Sequence, residues 1–322
     1  MKKYHSFPGL VLASALMSFS ASSGAEELQD ISLQFVGEFG GLPFDCDAQY
    51  ENVGISKATV GVSDFRLYVS RIRLLDANGA ETAVSLLDHG PWQHDGIALL
   101  DFEDGSGNCS NGTSQINGEI RAQVPAGDYS GVAFDIGVPF ESNHQDPTLA
   151  ASPLNLTALF WNWRGGYRFL RVDLLPDNQM TNSEASMPTD APVSQQGKTE
   201  SVMSTAGSEK QQTAGTGMAA KVGAGWALHV GSTGCMAESP TSAPEQCSAA
   251  NRIIVEFPDA DPLTSVFVID PAQVLTGSDV SRNTEGTSPG CMSAPDDPEC
   301  RAVFQALGLS SDKAVQSLVS VR

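Results

Sequence analysis

The chain has 322 residues, of which 38 are acidic and 18 are basic, so its formal net charge is −20 and its isoelectric point is about 4.4. Hydrophobic residues make up 41% of the chain and aromatic residues 7%, a content that supports a folded core and excludes disorder of the whole chain. The acidic charge excludes non-specific binding to nucleic acid or to an anionic membrane surface, because phosphate groups repel such a protein.

Residues 1–25 are typical of a secretory signal peptide. Lys2 and Lys3 precede an apolar run that ends at Phe19, and small residues follow as far as Ala25. The apolar run is too short to anchor the chain across a bilayer. We therefore expect cleavage near Ala25, which leaves a single β-rich domain at residues 26–322 that is periplasmic or secreted.

Alternation of apolar and polar residues predicts β-strands along most of the chain. The predicted strands are Ile31–Phe35, Phe65–Leu74, Ile116–Val124, Val132–Val138, Leu170–Leu174, Trp226–Val230, Ile253–Phe257 and Val266–Ile269. In the second of these the alternation changes phase near Ser70, which indicates a bulge or a crossing between sheets. A turn at Pro125–Asp128 predicts that the third and fourth strands form a hairpin.

Helices are predicted at only a few places. One begins at Ser152, with Pro153 in its first turn, and ends at Gly165. Its apolar stripe consists of Leu156, Leu159, Phe160 and Trp163. A second predicted helix covers residues 298–307 and stops at Gly308, and a short third one begins at Ser311.

Residues 176–221 differ in composition from the rest of the chain. They are rich in Ser, Thr, Gln, Gly, Ala and Met and have no apolar period, which predicts a flexible insertion. Because strands dominate elsewhere, the sequence predicts an all-β fold. The expected architecture is an antiparallel β-sandwich with a few short helices and this long flexible insertion, stabilised by disulfides.

The cysteines indicate the redox state of the protein. All six lie in the exported part, and an even number in an exported protein favours disulfides. Local spacing predicts the pairs Cys235–Cys247 and Cys291–Cys300, which leaves Cys46–Cys109. The alternative is a thiolate metal site. It has less support, because the chain has no C-x-x-C pair and no cysteine with a histidine at zinc-finger spacing.

Motifs of common enzymes are absent from the sequence. It has no P-loop, no dinucleotide-binding fingerprint, no H-E-x-x-H and no G-x-S-x-G. We therefore expect no catalytic turnover. An acidic, glycine-rich turn at residues 102–108 offers oxygen ligands for calcium, but it lacks the EF-hand pattern and a plain hairpin turn is the favoured interpretation.

Histidine is scarce, and four histidines remain in the exported part: His89, His94, His144 and His229. Trp92 and His94 are two residues apart in an extended segment, so their side chains can converge on one point. His144 follows a strand of buried type. His229 is predicted to point away from the apolar face of its own strand. For each of them, an ordinary loop or surface position is the alternative.

Several motifs together resemble the MbnP-like family, exported proteins with a four-cysteine motif. The matching segments are residues 99–105, Gly137–Asp146, Ser152–Asn155, Phe160–Phe169, His229–Cys235 and Gly290–Cys300. They cover nearly the whole exported chain. The copper-binding proteins MopE and CorA of methanotrophs are similar in chemistry, with less sequence in common. The resemblance implies a periplasmic copper-binding protein that works in copper acquisition, storage or delivery.

The resemblance also implies a partner, a di-haem cytochrome c peroxidase-like protein of the MbnH type that oxidises a tryptophan to kynurenine. Carried onto this sequence, it makes Trp92 the candidate kynurenine and His94 a copper ligand. It makes His144 the expected second imidazole, with His229 as an alternative or additional ligand. Trp161 and Trp163 are rival targets of the oxidation. Two other functions stay open: a disulfide-stabilised binding or adhesion domain without a metal, and a copper oxidase.

Overall fold

The structure is a computed structural model, and it describes Met1 and residues 27–162, 164–177, 225–239, 242–310 and 315–322. Several predicted features lie outside these residues: the signal peptide, Trp163, the insertion beyond Asp177 and the start of the helix expected at Ser311. Within the described ranges, no helix is long and apolar enough to cross a membrane.

Strands make up most of the regular structure. They are β1 Leu28–Phe39, β2 Leu42–Pro43, β3 Tyr50–Val53, β4 Ala58–Leu75, β5 Glu81–Ala83, β6 Ser85–Leu86, β7 Gln93–His94, β8 Ile97–Asp101, β9 Glu119–Pro125, β10 Gly131–Ile136, β11 Phe160–Asn162, β12 Gly166–Tyr167, β13 Leu170–Pro176, β14 Trp226–Val230, β15 Thr233–Met236, β16 Gln246–Ala249, β17 Ile253–Phe257, β18 Val266–Ile269, β19 Gly290–Cys291 and β20 Val319–Val321. The α-helices are Phe140–Asn143, Pro271–Val274 and Cys300–Ala306, and the 3₁₀ turns are Gly107–Cys109, Thr157–Leu159 and Leu275–Gly277.

Two sheets pack face to face, which confirms the predicted sandwich. The six-stranded sheet has the order β20–β18–β1–β9–β6, with β2 added to β1. The ten-stranded sheet has the order β17–β10–β4–β13–β14–β19, with β3, β5 and β8 paired to β4 and β7 paired to β8. Most pairs are antiparallel, but β1 runs parallel to β18 and β14 runs parallel to β19.

The main core lies between the two sheets and is rich in phenylalanine. Phe35 of β1 and Phe267 of β18 face Phe134 of β10, with ring centroids 5.6 Å and 5.7 Å from it. All three side chains are buried. A second, smaller cluster lies on the outer face of the ten-stranded sheet, where Tyr68 and Tyr167 pack edge to face at 5.7 Å. This outer cluster supports the loops that carry the candidate site.

The phase change predicted near Ser70 is a β-bulge. Ala133 pairs with Arg73 and Asp135 with Ser70, so Arg71 and Ile72 together oppose the single residue Phe134. Arg71 has a φ of +52°, the left-handed conformation that an extra residue in a strand often takes. The bulge lets the residues on both sides of it contribute apolar side chains to the same core.

The predicted hairpin of β9 and β10 is wrong. β9 pairs with β1 and β6 in the six-stranded sheet, whereas β10 pairs with β4 and β17 in the other sheet. The connection between them is fixed by hydrogen bonds from Ala126 N to Glu27 O (2.7 Å) and from Ser130 N to Leu75 O (2.8 Å). A turn sequence predicts a reversal of the chain, but it does not distinguish a hairpin from a link between sheets.

The helix predicted from Ser152 to Gly165 is also wrong. A 3₁₀ turn at Thr157–Leu159 leads into the hairpin of β11 and β12. Gly166, directly after the predicted helix, begins β12 with a φ of +72°. Leu156, Leu159 and Phe160 of the predicted stripe instead pack on the outer cluster, where the rings of Phe160 and Tyr167 lie 5.1 Å apart. The predicted helix at residues 298–307 is confirmed as Cys300–Ala306, followed by Gly308 at a φ of +70°.

All three predicted disulfides are present, and among the described residues no cysteine is free. Cys46 and Cys109 are 63 residues apart in sequence, whereas Cys291 and Cys300 are 9 apart. A cross-link over a longer loop removes more entropy from the unfolded chain. The disulfide between Cys46 and Cys109 should therefore contribute more to the stability.

We expect replacement of both Cys46 and Cys109 by alanine to lower the free energy of unfolding by about 1.5 kcal/mol more than replacement of Cys291 and Cys300. The second pair is a matched control, since all four side chains are buried. Guanidinium unfolding of the two variants measures the difference. Equal losses would contradict the chain-entropy explanation.

Candidate metal-binding site

The hairpin of β11 and β12 holds Trp161 against β14. Its turn is closed by Asn162, whose Oδ1 accepts hydrogen bonds from the backbone N of Arg164 and Gly165, both at 2.9 Å. The half-buried indole of Trp161 lies directly on Gly231, where an added Cβ would come within 2.5 Å of the ring. Only glycine permits this approach, so Gly231 fixes the position of the tryptophan.

His229 lies beside this indole, on the outer side of β14. Its ring centroid is 6.5 Å from that of Trp161. Nε2 is 2.6 Å from Asp173 Oδ1, and Nδ1 accepts a hydrogen bond from Arg168 Nε at 3.3 Å. An arginine can only donate, so Nδ1 carries the lone pair and Nε2 carries the proton that bonds to Asp173. The imidazole therefore presents Nδ1 to the space beside the indole.

Arg168 already places a positive charge in that space. Its guanidinium carbon lies 5.5 Å from the centre of the Trp161 ring, a cation–π distance. Nη1 also donates to the carbonyls of Ala158 (2.9 Å) and Phe160 (3.2 Å). Burial and the charge of Arg171 lower the pKa of Arg168 to about 10. The pair of Trp161 and His229 thus binds a cation, here one supplied by the protein.

Ser293 holds the end of β14 in place. Its Oγ accepts a hydrogen bond from Gly231 N and donates one to His229 O, both at 2.9 Å. Asn251 Nδ2 donates to Gly231 O at 2.9 Å. These bonds position the backbone on which Trp161 rests.

His144 lies on the other flank of the same hairpin. It is buried, follows the helix Phe140–Asn143 and packs against the Phe140 ring at 5.0 Å. The side chain of Asn143 joins it to the hairpin: Nδ2 lies 3.2 Å from His144 Nε2 and 3.4 Å from Gly165 O, and Oδ1 accepts from Tyr167 N at 2.9 Å. His144 Nε2 is also 3.4 Å from Cys247 Sγ.

Trp92 and His94 are placed differently. Trp92 is half-buried and packs against the outer cluster, whereas the His94 side chain is 51% exposed and pairs with Asp88 at 3.1 Å. Between them, the buried Gln93 donates to the carbonyl of Arg121 at 2.6 Å. Among the described residues, a ring contact joins Trp161 to His229 and none joins Trp92 to His94. The three predicted histidine ligands make no direct contact with one another in the described part of the chain.

A buried network of charges extends from His229 across four strands. In the sheet register, His229 lies opposite Arg171, Arg171 opposite Arg66, and Arg66 opposite Asp101. Arg171 bridges Asp173 (2.6 Å) and Asp64 (3.1 Å). Arg66 bonds to Asp64 and lies 3.3 Å from Glu103. His229 is therefore held at one end of a continuous chain of ion pairs.

Sequence reasoning missed this network. Asp64 and Arg66 alternate with core residues on β4, and Arg171 and Asp173 do the same on β13. Such a pattern is normally a solvated strand face. Loops cover this face, so the charges are buried and paired. The sequence contains one hint of this network. Only 17% of residues are charged, yet each of these two strands has an acidic residue two positions from an arginine.

The carboxyl groups at the two ends of the network differ in pKa. Burial alone would raise the pKa of Asp173, but the hydrogen bond from His229 and the charge and hydrogen bond of Arg171 lower it to about 2. At the other end, burial raises the pKa of Asp101 and of Glu103 to about 7, against the attraction of Arg66. Neither carboxyl oxygen of Glu103 accepts a hydrogen bond. The charged form of Asp173 is thus stabilised near His229, whereas the charged form of Glu103 is disfavoured at the other end of the network.

We expect Glu103→Gln to stabilise the protein by about 1 kcal/mol more at pH 8 than at pH 5. The folded-state pKa lies above that of the unfolded chain, so the native protein loses stability as pH rises from about 4 to about 7. Glutamine keeps the shape and removes the ionisation. Urea unfolding at both pH values measures the change, and the same stabilisation at each would contradict the raised pKa.

The acidic turn proposed for calcium has its carboxylates engaged with the protein. Glu103 is turned inwards towards Arg66. Asp104 Oδ1 accepts hydrogen bonds from Ser106 N (2.9 Å) and Ser106 Oγ (2.6 Å). The turn continues into the 3₁₀ turn that ends at Cys109 instead of forming a plain hairpin. Calcium binding there stays a prediction.

Comparison with known proteins gives two matches. The model of the MbnP family matches residues 28–293. The solved structure of MbnP from Methylosinus trichosporium is similar with a TM-score of 0.69 and 27% sequence identity, covering 92% of this chain and 98% of that one. No curated protein sequence matches the chain.

Proposed function

Because the chain belongs to the MbnP family, we propose that it is an exported copper-binding protein that acts in copper acquisition, storage or delivery. In this proposal a di-haem peroxidase-like partner of the MbnH type oxidises one tryptophan to kynurenine, which then binds copper with histidine nitrogens. The protein itself performs no catalytic turnover. The three disulfides support a location in an oxidising compartment, the periplasm or the exterior.

The observation that carries the proposal is the contact between Trp161 and His229. An indole N–H can only donate, because its lone pair belongs to the aromatic ring. Opening of the pyrrole ring releases an amine whose lone pair can bind a metal. At Trp161 this amine would form next to an imidazole that presents its own lone pair, 6.5 Å away between ring centres. The geometry therefore favours Trp161 over Trp92 as the oxidised residue.

The residues around this pair fit a copper site. Imidazole and amine nitrogens suit copper, which ranks near the top of the affinity order of divalent metals. Asp173 Oδ1 accepts a hydrogen bond from His229 Nε2 at 2.6 Å. This carboxylate–histidine arrangement is the one that orients metal-bound imidazoles. Arg168 lies where a metal would approach Nδ1, so it must withdraw when copper binds.

His144 is our choice for the second imidazole. It reaches the same hairpin through Asn143 and is buried, which leaves its position well defined. His94 is exposed, and together with Trp92 it forms the other candidate pair of a tryptophan and a histidine. Copper binding at Trp92 and His94 is therefore the alternative location, and it requires the two side chains to turn towards each other.

The test is to produce the protein with and without its di-haem partner and to measure bound copper after dialysis. While the disulfides are intact, we expect tight copper binding only after co-production, together with the mass change of a tryptophan-to-kynurenine conversion. A metal-free binding or adhesion domain would retain no copper in either preparation. A copper oxidase would consume a reducing substrate with oxygen, which our proposal excludes.

A further inference from the structure

The hairpin of β15 and β16 carries a disulfide directly beside His144. Cys235 and Cys247 are opposite each other in its register, with Cα atoms 3.8 Å apart. His144 Nε2 lies 3.4 Å from Cys247 Sγ. The two sulfurs and a ring nitrogen of His144 all lie within 4.8 Å of one another. Three groups that can bind a soft metal thus converge, although two of them are joined as a disulfide.

We propose that Cys235, Cys247 and His144 form a redox-controlled Cu(I) site, which is closed while the disulfide is intact and is opened by an external dithiol. A disulfide sulfur is not a thiolate and is therefore a poor ligand. The site shares only His144 with the ligands proposed above. It requires neither Trp161 nor His229, so it goes beyond the function proposed for them.

Exposure makes this disulfide the accessible one. Cys235 and Cys247 are both partly exposed. The other four cysteines are almost completely buried, with exposures of 3% for Cys46, 0% for Cys109, 0% for Cys291 and 1% for Cys300. Exchange begins with attack by a thiolate on a disulfide sulfur, so it depends on access to that sulfur. A dithiol should therefore reduce the disulfide of the hairpin first.

The hairpin would keep the two sulfurs together after reduction. Cross-strand neighbours in an antiparallel pair have Cβ atoms about 5 Å apart. The backbones of β15 and β16 also pair on both sides of the cysteines, Thr233 with Ala249 and Met236 with Gln246. His144 is buried and held by Phe140 and Asn143, so the third ligand is already in position.

Reduction of the disulfide and binding of Cu(I) both balance in atoms and electrons. The dithiol is oxidised to a disulfide, the S–S bond between Cys235 and Cys247 breaks, and both cysteines become thiols with the two protons of the dithiol. On binding Cu(I), the two thiols release their protons to solvent, and neutral His144 contributes its lone pair. The copper keeps its oxidation state throughout.

The ligand set favours Cu(I) over other metals. Thiolates are soft ligands that select Cu(I) and zinc. Structural zinc sites use four protein ligands in a tetrahedron, and this group offers three. Calcium and magnesium prefer oxygen and are excluded by the sulfurs.

The test uses the full exported protein made without its partner. Its tryptophans are then unmodified, so no kynurenine contributes to copper binding. Part of the sample is reduced with dithiothreitol, freed of it without oxygen, and titrated with Cu(I) against a chromophoric Cu(I) chelator. We expect about one more copper ion bound than by the oxidised sample, with thiolate-to-copper absorption in the near ultraviolet. Peptide mapping after alkylation should find the new thiols at Cys235 and Cys247.

Three controls decide the ligands. Blocking the reduced thiols with iodoacetamide, or replacing both by serine, should abolish the additional binding. His144→Gln should weaken it at least about tenfold, whereas His89→Gln, at a histidine outside both candidate copper sites, should not change it. Any of three results would overturn the proposal. These are no additional copper after reduction, reduction of the disulfide between Cys291 and Cys300 first, and a Cu(I) affinity of the reduced His144→Gln variant equal to that of the unaltered protein. None of these outcomes bears on kynurenine formation.

Discussion

Replacing His229 by glutamine is expected to weaken copper binding by the partner-treated protein at least about 100-fold, because it removes a primary ligand. Glutamine is of similar size and can still bond to Asp173, so the fold should survive. Trp161→Phe should have as large an effect, since phenylalanine cannot be converted to kynurenine. Asp173→Asn removes the carboxylate that orients the imidazole and pairs with Arg171, and it should cost about 10-fold to 100-fold in affinity.

The matched controls are Trp92→Phe and His94→Gln, which alter the other tryptophan and histidine pair. We expect both to bind copper like the unaltered protein. The affinities are measured by competition with a Cu(I) chelator after co-production with the di-haem partner. The reverse result, loss of binding in the controls and retention in the His229 and Trp161 variants, would move the site to Trp92 and His94.

Replacing Arg66 by methionine is expected to destabilise the protein by about 4–5 kcal/mol, the upper end of the cost of breaking a buried ion pair. Arg66 is buried, bonds to Asp64 and lies 3.3 Å from Glu103. It also faces Asp101 across the sheet. Removing this one positive charge takes away the ion-pair partner of Glu103 and the charge opposite Asp101, and it leaves Asp64 with Arg171 alone. Methionine preserves much of the volume, so the loss reports charge and not a cavity.

Equilibrium unfolding in urea measures this loss. Arg121→Met is the matched control, because Arg121 pairs with Glu119 at 2.8 Å but lies on the exposed surface. We expect no measurable shift of its midpoint. Adding Glu103→Gln to Arg66→Met should recover part of the stability by removing one uncompensated charge. An equal effect of the two arginine replacements would contradict the account of the network.

The strands were predictable where one face is buried and the other is not. β1, β9 and β13 follow the alternation, and β18 was predicted with its exact bounds. The partner of each strand was not predictable in the same way. β10 is buried on both faces, so its sequence does not identify which sheet it joins. The turn before it was therefore interpreted as a hairpin.

The failure at Ser152 has a different cause. The spacing of Leu156, Leu159 and Phe160 fits a helix, but these side chains pack on an outer cluster that includes Tyr68, which lies far away in sequence. Tertiary packing outweighs helical spacing in so short a segment. The hairpin that forms instead brings Trp161 to His229, a contact that spacing could not show.

The candidate site was predictable in its residue types and only partly in its arrangement. The scarcity of histidine identified His144 and His229, and the alternation of β14 correctly predicted that His229 points away from the apolar face. Sequence separation favoured Trp92 with His94 because proximity along the chain is visible in a sequence. Arg168 and Asp173, which set the protonation of His229, depend on strand register and were missed.

The most direct test is peptide mapping of the copper-loaded protein after co-production with the di-haem partner. The account predicts kynurenine at Trp161, unmodified Trp92, and copper in proportion to the oxidised fraction. Copper bound in that proportion to protein in which Trp92 is oxidised and Trp161 is intact would contradict it.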